Sequence, residues 1–202
     1  EVIRGEATHS VSDGGKLRAA VLGVNDGLVS NFSLVMGVAG GTRDPEFVLL
    51  AGIAGLMAGA FSMAAGEYIS MRSQRDVYEY QIKMEQVELD EWPEEEEEEL
   101  VLIYRAKGLS QEDSERIAKK IMSQPQVALE TMAREELGLD PSQLGSPWGA
   151  AISSFGAFMM GAIVPITPYI FDAGDLAFML SGVLSGGMLF VVGGIIAMIT
   201  NR

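Results

Sequence analysis

The chain has 202 residues, with 14 basic against 28 acidic side chains, a net charge of −14 and 48% hydrophobic residues. So acidic a chain offers no basic surface to nucleic acid. The lack of cysteine removes disulfides and thiolate metal sites, and a single histidine, His9, removes multi-histidine zinc sites.

Acidity and apolarity coexist here because they are segregated. Residues 72–146 carry nine basic and nineteen acidic side chains, a net of −10, and most of the remaining length is apolar. This predicts an all-α polytopic membrane helix bundle with a cytosolic helical metal-binding domain inserted between spans 2 and 3. The expected divisions are a tail at 1–16, spans 1 and 2 within 17–71, the acidic domain at 72–147, and spans 3 and 4 within 148–202.

Residues 1–16 are polar, lack the apolar core of a signal peptide, and are expected to form a loosely ordered cytosolic tail. Leu17–Gly41 matches the roughly 20 residues of a membrane-spanning helix. Its one interior acid is Asp26. An acid inside a membrane costs on the order of 2.5–3.5 kcal/mol and is a functional hypothesis by default; the alternative is that Asp26 sits at the membrane surface or caps a helix with Asn25. Asn25, Ser30, Asn31 and Ser33 add polar groups to the same segment, as in a helix lining a polar path. Gly40 to Pro45 is a breaker cluster and hence a tight connection. The second span, about Phe47–Met71, is rich in glycine and alanine, and its Gly55-xxx-Gly59 spacing allows close helix approach. Glu67 lies near its far end, with Met63 one turn before it. Met63 by itself reads as ordinary core packing, which is what most methionines do.

From Arg72 the pattern turns charged with no glycine or proline, so the second helix continues beyond the span. Pro93 suits the first position of a new helix, and Gly108 its end. Ser110 suits an N-cap. A further helix from Pro125 stops at Gly138, giving about four helices in the acidic part. Asp140–Pro147 is a linker. The third span, about Trp148–Phe171, is kinked by Pro165 and Pro168, which requires other groups to satisfy the freed carbonyls. Asp172–Asp175 is a short acidic loop, and the fourth span is about Leu176–Thr200. Arg4, Lys16 and Arg18 lie in or beside the tail, Arg202 lies at the end, and Arg43 is the one base in either intervening loop. The asymmetry places the tail, the acidic domain and Arg202 in the cytosol, with loops 42–46 and 172–175 on the other side.

Carboxylates recur in pairs at helical spacing: Glu85 with Glu88, and Glu96 with Glu99. On a later helix Met132 lies four residues before Glu136, with Glu135 adjacent. Helices offering inward carboxylates are how bundles build multi-metal sites. All-oxygen donors suit Ca, Mn or Mg, and a thioether favours softer ions. A run of six glutamates at 94–99 ordinarily reads as a solvated face. Here it opens an amphipathic helix, the paired spacing recurs, and a membrane path with its own acid lies nearby in sequence. The register within 94–99 stays open, since every position is glutamate.

VLGVNDGLVSNFSLVMGVAGG in span 1, MAAGEYISMRSQRD closing span 2 and GAIVPITPYIF in span 3 resemble the vacuolar iron transporters of plants, fungi and protists. The resemblance implies a homodimeric antiporter of the vacuolar membrane that moves Fe²⁺ from cytosol to vacuole against protons, and not an enzyme. Carried over by motif, Asp26 and Met63 with Glu67 beside them would form the membrane path. Glu85, Glu88, Glu96, Glu99, Met132 and Glu136 would form the cytosolic metal site. The family has five spans against four here, so a fifth is expected beyond Arg202. Mn²⁺, Co²⁺ and Zn²⁺ stay open as alternative ions, as do a membrane-anchored metal buffer without transport and a ferroxidase-like centre, which the lack of histidine ligands disfavours.

Overall fold

A computed structural model describes residues 10–42, 44–140 and 144–199, and the side chains among them except those of 10–20 and 199. The tail 1–9, Arg43, linker residues 141–143 and the end from 200 on lie outside the described residues, as do the side chains of Lys16 and Arg18. Among the described residues all regular structure is helical: α1 (Ser10–Gly41), α2 (Pro45–Glu91), α3 (Pro93–Ala106), α4 (Gln111–Met122), α5 (Pro125–Glu135), α6 (Pro147–Ala162), the short α7 (Thr167–Ile170) and α8 (Ala177–Ile199). The chain divides into two compact units, one of residues 1–69 and 147–202, the other of Ser70–Ser146.

Among the described residues of the first unit four helical stretches are long and apolar enough to cross a membrane: Val21–Gly41, the apolar half of Pro45–Glu91, Pro147–Ile170 and Gly174–Met198. Helix α1 begins at Ser10, earlier than the expected boundary at residue 17. The sequence between Ser10 and Lys16 has no proline to remove a backbone donor, and extending an existing helix is far cheaper than nucleating one. Val35, Val48, Leu56, Ala60, Phe158, Ala162, Ile166, Tyr169 and Ala177 form the buried cluster. Large apolar side chains such as Phe190, Met198 and Val183 of α8 stay exposed, as on a surface made for lipid.

Close approach of α1 to α6 rests on glycine. A Cβ at Gly27 would collide with the Phe158 carbonyl oxygen, and one at Gly161 with the Val24 carbonyl oxygen and, at 2.8 Å, the Leu28 amide nitrogen. The Gly55-xxx-Gly59 pair serves two neighbours: Gly55 faces Leu34 and Asn31 of α1, and Gly59 faces the Phe158 ring of α6. Phe61 meets Phe155 edge-on at 5.2 Å between ring centroids, and Tyr68 meets Trp148 at 5.0 Å.

The third span is broken where a kink was expected. Helix α6 ends at Ala162, a 3-10 turn covers Val164–Ile166, and α7 follows. Pro165 has no amide to donate, and the Ile166 amide bonds to Ile163 O at 3.2 Å, so the Ala162 carbonyl leaves the helical ladder. Side chains take up the freed groups: Asn31 Nδ2 donates to Ala162 O at 2.6 Å, and Ser181 Oγ donates to Pro165 O at 2.7 Å.

In the second unit α2 runs on to Glu91, supported by the i,i+4 ion pairs Arg72–Asp76 and Arg75–Glu79. Trp92 breaks it and Pro93 opens α3. Gly108 follows with φ +98°, a left-handed conformation that glycine adopts without cost. Ser110 caps α4, its Oγ accepting from the Asp113 amide at 3.1 Å. Gly138, at φ +66°, follows α5. Leu100, Val101, Ala118 and Met132 form the core, and the ion pair Lys107–Glu135 ties the end of α3 to α5.

Gly27→Ala and Gly161→Ala each force α1 from α6 and are expected to destabilise the protein by about 1–3 kcal/mol, read as a lower unfolding midpoint in detergent. Gly156→Ala, with nothing within 4 Å, leaves the midpoint unchanged.

Candidate metal centre

Three acids converge in the second unit. Glu85 comes from the last turns of α2, Glu96 from α3 and Glu136 from the residue that ends α5. Each offers a carboxylate oxygen, and the three oxygens lie within 4.8 Å of one another. Glu85 is 1% exposed and Glu96 8%, while Glu136 reaches the site from an exposed position. Local folding explains the arrangement. Pro93 fixes the start of α3, and Glu94–Glu96 fall in its first turn, where the helix dipole favours negative charge. Glu96 then lies one turn before Leu100, so it stands on the buried stripe of α3 rather than on its solvated face. Among the six glutamates the structure thus selects Glu96 as the buried one.

Every charge that shifts these groups is itself acidic. Burial, then Glu136, Glu96 and Glu88, push Glu85 up to about 8. Burial, then Glu99, Glu136, Glu88 and Glu95, push Glu96 up to about 7. Glu136 is raised by burial and by Glu99 and Glu88, against a lowering hydrogen bond with Glu85. Glu85 Oε1 and Glu96 Oε2 are buried with no hydrogen-bond partner. A divalent cation would remove both penalties, because it would pair the orphaned oxygens and offset the mutual repulsion. Of the other expected ligands, Glu88 is half-buried and acts electrostatically on all three, and Glu99 is exposed and acts on Glu96 and Glu136. Met132 is fully buried in the apolar cluster with Leu100, one turn before Glu136.

A second polar site lies in the first unit. Asp26, Ser30, Asn31, Leu34, Gly55, Gly59, Ser62, Met63 and Phe158 line a cleft of about 320 Å³. Asp26 is exposed to this cleft, and its Oδ1 accepts from Ser30 Oγ at 3.2 Å. The cleft therefore brings the expected acid and thioether, Asp26 and Met63, to one wall of the bundle. Glu67 is half-buried one turn beyond Met63 and is not among the lining residues. Sequence reading treats Asn31 as one polar group among several; its burial, 2% exposed, and its bond to Ala162 set it apart.

Fold and sites together define a polytopic helical protein with apolar spans and a separate unit of converging carboxylates. A model of the VIT family matches residues 17–202, and the chain belongs to that family. It is 34% identical over 155 residues to vacuolar iron transporter 2 of Oryza sativa subsp. japonica, covering 77% of this chain and 63% of the relative. It is 38% identical over 152 residues to the vacuolar iron transporter of Acanthamoeba castellanii, covering 75% and 54%. With vacuolar iron transporter 1 of Arabidopsis thaliana it shares 33% over 154 residues, covering 76% and 62%. The aligned part thus spans a little over half to under two thirds of these relatives' own length.

The raised acids give a signed pH dependence. Their folded pKa values exceed the usual 4.5, so the stability they contribute is complete below that value and is lost as pH rises through about 7 to 8. The ion-free protein should lose protection of the α3 and α5 amides to hydrogen exchange between pH 5 and pH 8.5. Glu85→Gln flattens that loss, and millimolar Co²⁺ restores protection at pH 8.5.

Proposed function

We propose that the protein carries Fe²⁺ from the cytosol into the vacuole in exchange for protons, as a homodimer in the vacuolar membrane. The observation that supports this reading best is the pairing of two cation-suited sites in one chain, the carboxylates of Glu85, Glu96 and Glu136 and the cleft of Asp26 and Met63. The names of the relatives support iron as cargo and the vacuole as place.

In this reading the acidic unit faces the cytosol and raises the local concentration of divalent ions. Glu88, Glu99 and Met132 complete the site around the three converging acids. An ion released there enters the membrane path at Asp26 and Met63, with Glu67 beside it. Protons from the acidic vacuole compete for these carboxylates and favour release, because a protonated acid is a poor ligand. Carboxylate and thioether donors together suit Fe²⁺, and they accept Mn²⁺ and Co²⁺ as well, since affinity order alone does not select iron. The protein binds and moves its cargo without transforming it.

Flux measurements test the reading. The full natural protein in proteoliposomes should take up Fe²⁺ when the interior is acidic, and Asp26→Ala should reduce uptake at least about tenfold, the scale of losing one charged interaction. Wild-type uptake by Asp26→Ala would overturn the path. Absence of flux together with Fe²⁺ binding that depends on Glu85 and Glu96 would favour a metal buffer instead.

A further inference from the structure

The Asn31 side chain occupies a position that its bond to Ala162 alone does not explain. Its Nδ2 donates to the Ala162 carbonyl, the group set free where Pro165 ends α6. A carbonyl accepts and cannot donate, so it fixes which end of the amide faces it. The Asn31 oxygen must then face the opposite way. That oxygen is buried, has no hydrogen-bond partner, and belongs to a side chain lining the same cleft as Asp26 and Met63. In a membrane interior an unpaired carbonyl dipole costs free energy that a cation would recover.

We infer that Asn31 is a cargo-binding residue of the membrane path, its Oδ1 presented as a neutral oxygen ligand beside the Asp26 carboxylate and the Met63 thioether, with its direction locked by the Ala162 carbonyl. The inference rests on the transport reading above and extends it by one ligand. A neutral amide oxygen adds affinity for a divalent ion without adding charge, so the path keeps a ligand that protons do not titrate. Gly55 keeps the oxygen open: a Cβ there would stand 2.7 Å from Asn31 Oδ1, and its other near contact is the flexible end of Leu34. The break in the third span thereby acquires a function, since the carbonyl it frees aims the ligand.

Two variants test this in proteoliposomes of the full natural protein with Fe²⁺ under anaerobic conditions. Asn31→Ala removes the oxygen and the bond to Ala162. Gly55→Ala keeps the Asn31 amide and the Ala162 carbonyl in the chain and sets a methyl against the oxygen, close enough that the amide or Leu34 must shift. Each should raise the KM for Fe²⁺ about tenfold while Vmax stays within threefold. A lower Vmax with unchanged KM would assign Asn31 a structural role and overturn the inference. If Asn31→Ala does not fold, Gly55→Ala decides, and wild-type KM there overturns it as well. Asp26→Ala, run alongside, separates the two failures. Inactive Asp26→Ala with unaltered KM in the Asn31 and Gly55 variants rejects Asn31 alone, whereas fully active Asp26→Ala rejects the path and this inference with it.

Discussion

Glu85, Glu96 and Glu136 stand with carboxylate oxygens within 4.8 Å of one another, and two of these side chains are buried. Burial and mutual repulsion both disfavour their ionised forms. At neutral pH two kinds of partner satisfy such a group, protons or a cation. The shifts of Glu85 to about 8 and Glu96 to about 7 are the proton solution. A divalent ion is the other, and it must displace those protons to bind. The affinity of the proposed site for a divalent ion would therefore be coupled to pH near neutrality. The helices around the site hold this strain: Leu100, Val101, Ala118 and Met132 pack behind it, and the Lys107–Glu135 pair joins α3 to α5.

The first unit meets the same problem with different means. Its bundle needs a broken third span, and each break frees backbone carbonyls that hydrocarbon cannot satisfy. Asn31 and Ser181 satisfy two of them. Gly27 and Gly161 let α1 and α6 approach until their backbones nearly touch, which brings Asn31 within reach of Ala162. Close packing, a broken helix and an oriented amide are thus one arrangement, and the cleft of Asp26 and Met63 lies beside it.

Much of this was legible in the residues. The spans follow from apolar length, the continuation of α2 from the absence of glycine and proline after Arg72, and the α4 start from Ser110. The limits of α3 and α5 follow from Pro93, Gly108 and Gly138. Paired spacing drew attention to Glu85, Glu96 and Glu136. Their convergence was not legible, because periodicity orders residues on one helix and says nothing of which helices face each other. The register of the glutamate run was closed to sequence for a related reason. Six identical side chains carry no pattern, and only the packing of Leu100 and Val101 behind α3 turns Glu96 inward. The sequence indicates only a kink where the structure has a full break after Ala162, since proline marks the site and the neighbours decide how far the helix yields. Asn31 was hidden because its partner lies 131 residues away.

Glu85, Glu96 and Glu136, two of them buried, are proposed to form one divalent-ion site whose occupancy trades protons for metal. Calorimetry of Co²⁺ binding to the whole protein in buffers of different ionisation enthalpy measures the protons released per ion. Release of about one or more protons per ion bound is expected at pH 7, falling towards zero by pH 9 and diminished in Glu85→Gln. Binding that releases no protons at pH 7, or that Glu85→Gln leaves unchanged, would contradict it.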